Sequence, residues 1–187
     1  MSTLRILLIS FLLLLQPLHA GAVDRPWINA VAIAFGESED SDVSKVYRVS
    51  FQKKWHHSWF DGGAWFLGGY WDTGLTRMKA DSGHTGTVYD INLTPVFRYQ
   101  RDAGLSSGVT PFAEAGFGLH VLTDTHIGTN SLSTAIQFGS LIGVGVGFGE
   151  RGQYELTYQY TNLSNAGIKK PDDGFDAHLV KLGYNFY

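Results

Sequence analysis

The sequence predicts an all-β protein: an eight-stranded antiparallel transmembrane β-barrel of the outer-membrane type. Three observations lead there. Long stretches alternate apolar with polar residues at period two, the pattern of strands with one greasy face. The only long apolar run lies at the N terminus and reads as a leader, so a closed barrel is the remaining way to cross a bilayer. Tyr and Trp gather near strand ends (Trp55, Trp59, Trp65, Trp71, Tyr154, Tyr160), like the aromatic girdles of a membrane interface.

Composition agrees. The 187 residues are 44% apolar and 17% charged, against roughly 25% charged in a typical soluble domain. The net charge of −3 lacks the basic excess of a nucleic-acid binder. Without cysteine there is no disulfide framework, thiolate metal site or cysteine nucleophile.

Residues 1–22 read as a secretory signal peptide. Arg5 supplies the positive start, residues 6–15 are apolar except for Ser10, Pro17 breaks the run, and Ala20-Gly21-Ala22 offers small residues for cleavage. The run is shorter than the roughly 20 residues a spanning helix needs. Residues 23–187 are then a single barrel domain. Its strands are expected near 27–35, 45–55, 64–78, 89–100, 109–123, 136–148, 154–161 and 180–187. In 89–100, Tyr89, Ile91, Leu93, Pro95, Phe97 and Tyr99 make one face, and Pro95 predicts a bulge or irregularity because it cannot donate to the ladder. In 136–148, Ile136, Phe138, Ile142, Val144, Val146 and Phe148 oppose Gln137 and four glycines. Tyr154, Leu156, Tyr158 and Tyr160 repeat the pattern, as do Val180, Leu182, Tyr184 and Phe186. Arg48, Asp72, Arg98, Glu114 and His120 fall on the polar face and predict a lumenal ion-pair network. Eight strands enclose too narrow a lumen for a diffusive channel.

Chemistry concentrates in residues 160–176. Parity puts Asn162 and Ser164 on the face of Tyr158 and Tyr160, and puts Asp176 and His178 on the face of Val180 and Leu182. Four polar side chains thus meet at one rim, on the outside of an apolar wall, where polar groups are costly unless they serve the interface or a function. A hydroxyl, a carboxylate and an imidazole are the parts of an activated nucleophile. Ser-Asn-Ala-Gly is also ordinary turn chemistry.

The segment resembles the signature of the lipid A 3-O-deacylase (PagL) family of outer-membrane barrels, roughly His-x-Ser-Asn-Ala-Gly-(Ile/Leu)-x-x-Pro-(Asn)-x-Gly-x-Glu. Ser164-Asn165-Ala166-Gly167-Ile168, Pro171 and Gly174 stand in its register. Weaker similarity appears at Gly69-Tyr70-Trp71-Asp72, Pro95-Val96-Phe97 and Pro111-Phe112-Ala113-Glu114-Ala115-Gly116. The resemblance implies an esterase that removes an ester-linked acyl chain from lipid A at the outer face of the barrel. Ser164 would be the nucleophile and Asp176 the orienting carboxylate, where the family usually has Glu. Asn165 and the amide of Gly167 would help form the oxyanion hole. The implied partners are lipopolysaccharide and outer-membrane lipids, with no cofactor or metal; homodimerisation is left open.

The family's basic His corresponds to Asn162, and an amide does not take a proton from serine at neutral pH. Three explanations stand. His178 has taken over as base, or the chain is a catalytically silent barrel that still binds lipopolysaccharide, or the ester chemistry differs. A structural barrel that stabilises the outer membrane, and a soluble lipid carrier with its apolar faces turned inward, are further rivals. Lys169 and Lys170 fit either lipid A phosphates or a solvated loop. His56-His57, beside Trp55 and Trp59, suits an interfacial turn better than a metal site.

Overall fold

The computed structural model describes residues 27–39, 43–81, 86–102 and 108–186. The leader at 1–22 lies outside them. Ten strands form in chain order: β1 Ala30–Ser38, β2 Val43–Lys54, β3 Trp65–Ala80, β4 Thr87–Arg101, β5 Val109–Leu122, β6 His126–Ile127, β7 Asn130–Ser131, β8 Ile136–Phe148, β9 Tyr154–Ser164 and β10 Phe175–Asn185. Eight of them close into one barrel in the order β1-β10-β9-β8-β5-β4-β3-β2. β6 and β7 pair separately, as a small hairpin within the β5–β8 connection. The alternation places no strand in that connection, between the strands expected at 109–123 and 136–148.

Closure pairs the two ends of the chain, Ala30 with Asn185 and Ser38 with Ala177. The irregularity expected at Pro95 takes a mild form. The β3–β4 ladder runs straight through it, while the β4–β5 ladder passes from Leu93↔Leu119 to Val96↔Gly116 without a register shift.

The period-two pattern separates wall from lumen. Ile91, Leu93, Phe117, Ile142 and Val144 stand outward and exposed, as a lipid-facing band requires. Aromatic rings ring the end that carries both termini. Trp55 packs edge-on against Phe97 (4.9 Å) and Trp71 (6.3 Å), and on the far side Phe148, Tyr154 and Tyr184 follow at 5.6 Å spacings.

The lumen is filled in two parts. At mid-height Arg98 bonds Glu114 (2.8 Å) and Glu155 (2.7 and 3.0 Å), Lys181 bonds Glu114 (2.7 Å), and Tyr70 donates to Glu114 (2.9 Å). Arg48 pairs with Asp72, and His120 with Asp90 at 2.9 Å. Buried charge is tolerable only with such pairing. Gly139 leaves room for this layer, because a Cβ there would lie 2.1 Å from His120 Nε2. Toward the end opposite the termini the filling turns apolar. Met78, Val88, Leu122 and Leu163 meet Ile127 and Leu132 of the β5–β8 connection. A cavity of about 50 Å³ lies between the two layers.

Candidate active site

The site forms where β9 ends and β10 begins, at the rim opposite the termini. Asn162 pairs directly with Asp176 across the β9–β10 ladder. Asn162 Nδ2 donates to Asp176 Oδ1 at 2.9 Å, and the Tyr160 hydroxyl donates to the same oxygen at 2.6 Å. Ser164 sits two residues further along β9, about 7 Å by strand rise, and faces the same side. Asn162, Ser164 and Asp176 thus lie in one row on the face that parity assigns them. Tyr160 belongs to that row as well, joined through its hydroxyl to Asp176, a role that its place among the girdle aromatics does not reveal.

His178 takes other partners. It pairs with Tyr160, four residues from Ser164, a separation of about 13 Å at strand rise. Its Nδ1 meets the Tyr158 hydroxyl at 2.7 Å and its Nε2 meets Glu39 Oε1 at 2.7 Å. The imidazole also packs on the rings of Tyr158 and Tyr160, at 5.8 and 5.2 Å. The structure does not bring His178 to Ser164. Nothing local in the sequence marks Glu39 as its neighbour, because that contact exists only once β1 closes on β10.

The turn after Ser164 is tightly built. Ala166 and Gly167 both have positive φ, 56° and 74°, which bends the chain sharply and turns successive N–H groups toward one side. Asn165 is buried, and its amide is fully used. Nδ2 donates to Leu132 O and Lys169 O, each at 2.8 Å, and Oδ1 accepts from Lys169 N at 3.2 Å. Asp172 accepts from Asn165 N (3.1 Å) and Gly167 N (2.9 Å). Ala166 N points at Ser164 Oγ, 3.4 Å away. Asp172 follows Pro171 where the resembled pattern has an optional Asn, and its ties to the two backbone amides exist only once the turn is formed.

The β6–β7 hairpin braces this turn from outside. Ser131 N donates to Asp173 Oδ2 (2.8 Å), Asp173 N returns a bond to Ser131 O (3.1 Å), and Asn130 Nδ2 donates to Gly174 O (3.1 Å). Ile168, Lys169 and Lys170 project into solvent at the tip. At the opposite end of the barrel, His57 packs edge-on against Trp59 at 4.7 Å. Among the described residues no group of three or more His, Asp or Glu side chains has the spacing of a metal centre.

A closed eight-stranded wall with a lipid-facing apolar band and a polar row at one rim defines an outer-membrane barrel. The lipid A 3-O-deacylase (PagL) family profile matches residues 45–185, and the chain belongs to that family. The lipid A deacylase PagL of Pseudomonas aeruginosa is 30% identical over 176 residues, covering 94% of this chain and 95% of the relative. That of Bordetella bronchiseptica is 31% identical over 134 residues, 71% of this chain and 68% of the relative. The crystal structure of the outer-membrane enzyme PagL superposes with a TM-score of 0.74 at 28% identity, covering 84% of this chain and 99% of that one. Neisserial surface protein A shares the fold, with a TM-score of 0.53 at 15% identity.

Proposed function

We propose that the protein is a lipid A deacylase-type serine esterase working on the outer wall of the barrel, exported by the leader at residues 1–22. The observation that carries this reading is the row Ser164, Asn162 and Asp176, lying in the family's register on one lipid-facing strand pair. In outer-membrane barrels the chain termini face the periplasm, so the rim bearing this row meets the outer leaflet, where lipid A lies. Exposed Ile168 beside Lys169 and Lys170 suits the boundary between acyl chains and phosphate-bearing headgroups.

Ser164 Oγ attacks the ester carbonyl and forms a new bond to the acyl carbon. The bond to the lipid A oxygen then breaks, and that oxygen leaves with a proton. Water hydrolyses the acyl-serine and restores the enzyme. Asn162 supports this geometry but not its acid–base step. Its Nδ2 donates one hydrogen to Asp176 as an imidazole N–H would, which leaves the amide oxygen as its only acceptor for the Ser164 proton. That oxygen accepts a hydrogen bond but is no base at neutral pH, so the serine proton leaves to water at the rim and turnover is slow. The same observation favours a second reading, a barrel that binds lipopolysaccharide without cutting it.

Mass spectrometry of lipid A from cells expressing the chain decides between them. The esterase predicts a small loss of one ester-linked acyl chain, absent in Ser164→Ala and raised about 10²–10⁴-fold in Asn162→His, the range a positioned general base supplies. Unchanged lipid A in both the native chain and Asn162→His, with folded barrel in the membrane, would leave the binding-only reading.

A further inference from the structure

We infer that the lumen carries a second binding site, at the mouth beside the termini, for a small soluble organic anion with an oxyanion head and a ring-sized apolar body. It stands apart from the esterase reading, whose row lies at the opposite rim.

The cluster of Arg98, Glu114 and Lys181 closes the lumen at mid-height, and the lumen opens again toward the termini. A cavity of about 360 Å³ lies there, with Arg98 and Tyr70 at its inner end and His56, His57 and Arg151 exposed at the mouth. That volume is within the range of small-ligand sites. Two glycines leave the space open. A Cβ at Gly147 would come no nearer than 3.7 Å to Thr110, and one at Gly68 no nearer than 3.4 Å to Phe66. Both are ordinary contacts, whereas a Cβ at Gly145 would lie 2.5 Å from Phe112. Packing therefore demands glycine at 145 but not at 68 or 147, where the missing side chains make room for something else.

The lining is cationic. It holds Lys54, Arg98 and Arg151 against one carboxylate, Glu155, and Glu155 is committed to Arg98 by two bonds. Lys54 Nζ has no hydrogen bond or ion pair among the described residues. The chain after Lys54 doubles back along β3. Trp55 N donates to Gly69 O at 2.9 Å, and Trp59 and Leu67 exchange two backbone bonds of 2.8 Å. This holds the imidazoles of His56 and His57 at the mouth beside Lys54, where each ring offers an N–H donor. Two atoms of lining residues, Trp55 Nε1 and Asn185 Oδ1, are buried with no partner among the described residues. Buried polar atoms are nearly always bonded, so this donor and this acceptor call for a ligand that supplies both.

A cation and N–H donors at one end select an oxyanion, phosphate or carboxylate. Phe66, Phe112 and the two open glycines leave the other end to an apolar ring. The closed ladders of the wall stand between this space and the bilayer, so the ligand enters from the periplasm and not from a lipid leaflet.

The test titrates the purified barrel in detergent micelles, at near-neutral pH and low salt, with phenyl phosphate and with benzoate. Isothermal titration calorimetry reads binding. At least one probe is expected to saturate the barrel with a Kd of about 1 mM or tighter, while benzylamine, the same ring with the opposite charge, does not bind. Lys54→Gln weakens binding about tenfold or more, the value of one lost charge-assisted hydrogen bond. Gly147→Leu fills the cavity and abolishes binding, and Ser164→Ala binds as the native chain does. Folding of each variant is checked by heat-dependent gel mobility. If Gly147→Leu does not fold, Lys54→Gln and benzylamine decide. No saturable binding of either anion by the folded native barrel, equal binding of benzylamine, or an affinity unchanged by Lys54→Gln overturns the inference. None of these outcomes touches the esterase reading, which lipid A mass spectrometry tests separately.

Discussion

Replacing Glu114 by Gln removes one charge from the centre of the lumen, and the structure gives the size of the effect. The Glu114 carboxylate accepts five hydrogen bonds, from Tyr70, Arg98 (two), Gln159 and Lys181. The side chain is fully buried. In Glu114→Gln, Arg98 keeps Glu155 through two bonds, but Lys181 Nζ loses the carboxylate it pairs with and is left with neutral acceptors such as the Tyr70 hydroxyl at 3.2 Å. Breaking a buried pair by removing one partner costs about 3–5 kcal/mol, which is roughly two to four powers of ten in the unfolding equilibrium. Lys181→Met leaves Glu114 bonded to Arg98 and Gln159 and costs less. In the double variant Arg98 and Glu155 remain as a balanced pair, so the two losses share one origin and are not additive. A coupling of about 1.5–3 kcal/mol is expected, within the range for residues in one network. The assay is urea unfolding of the barrel in lipid vesicles, followed by the fluorescence of its five tryptophans. Costs that add to within about 0.5 kcal/mol would refute the picture of one charge-balanced cluster.

Two further outcomes are expected. In the Asn162→His background, His178→Ala leaves lipid A deacylation within about twofold, because His178 lies roughly 13 Å along the strand from Ser164; a loss above tenfold, read by mass spectrometry, would restore His178 as the base. Leu132 is fully buried in the apolar plug and its carbonyl holds Asn165, so Leu132→Ala costs about 2–5 kcal/mol by cavity formation. Because that cavity opens under the β9–β10 turn, the Asn165 and Gly167 amides exchange with deuterium at least about tenfold faster, while unchanged exchange would show that the hairpin does not brace the site.

The wall and the central lumen were legible because both follow from parity. Within β4, inward Asn92 and Arg98 and outward Ile91 and Phe97 differ only by even or odd position, and burial on one side makes that distinction hard to violate. The apolar plug was not legible. Ile127 and Leu132 come from a connection without alternation, and they join Met78 and Leu163 only after the connection folds back over the barrel mouth.

Parity fixes a face and leaves the register open, and this is why the fate of His178 could not be read from the chain. A slip of two residues between β9 and β10 would keep every side chain on its face. It would also set His178 opposite Asn162, within reach of Ser164, so the relocated base was compatible with everything periodicity offers. The observed register instead pairs Asp176 with Asn162 and His178 with Tyr160. The ten residues between the strands hold it there. Asp172 ties Asn165 and Gly167, Asp173 ties Ser131, and Gly174 accepts from Asn130. The brace that keeps the imidazole from Ser164 therefore includes two carboxylates of the turn itself, Asp172 and Asp173. A change at Asp172 that let the register slip would move the Asp176–Asn162 pairing, whereas Asp172→Asn, with Asp173 and Asn130 still in place, leaves that pairing where it is.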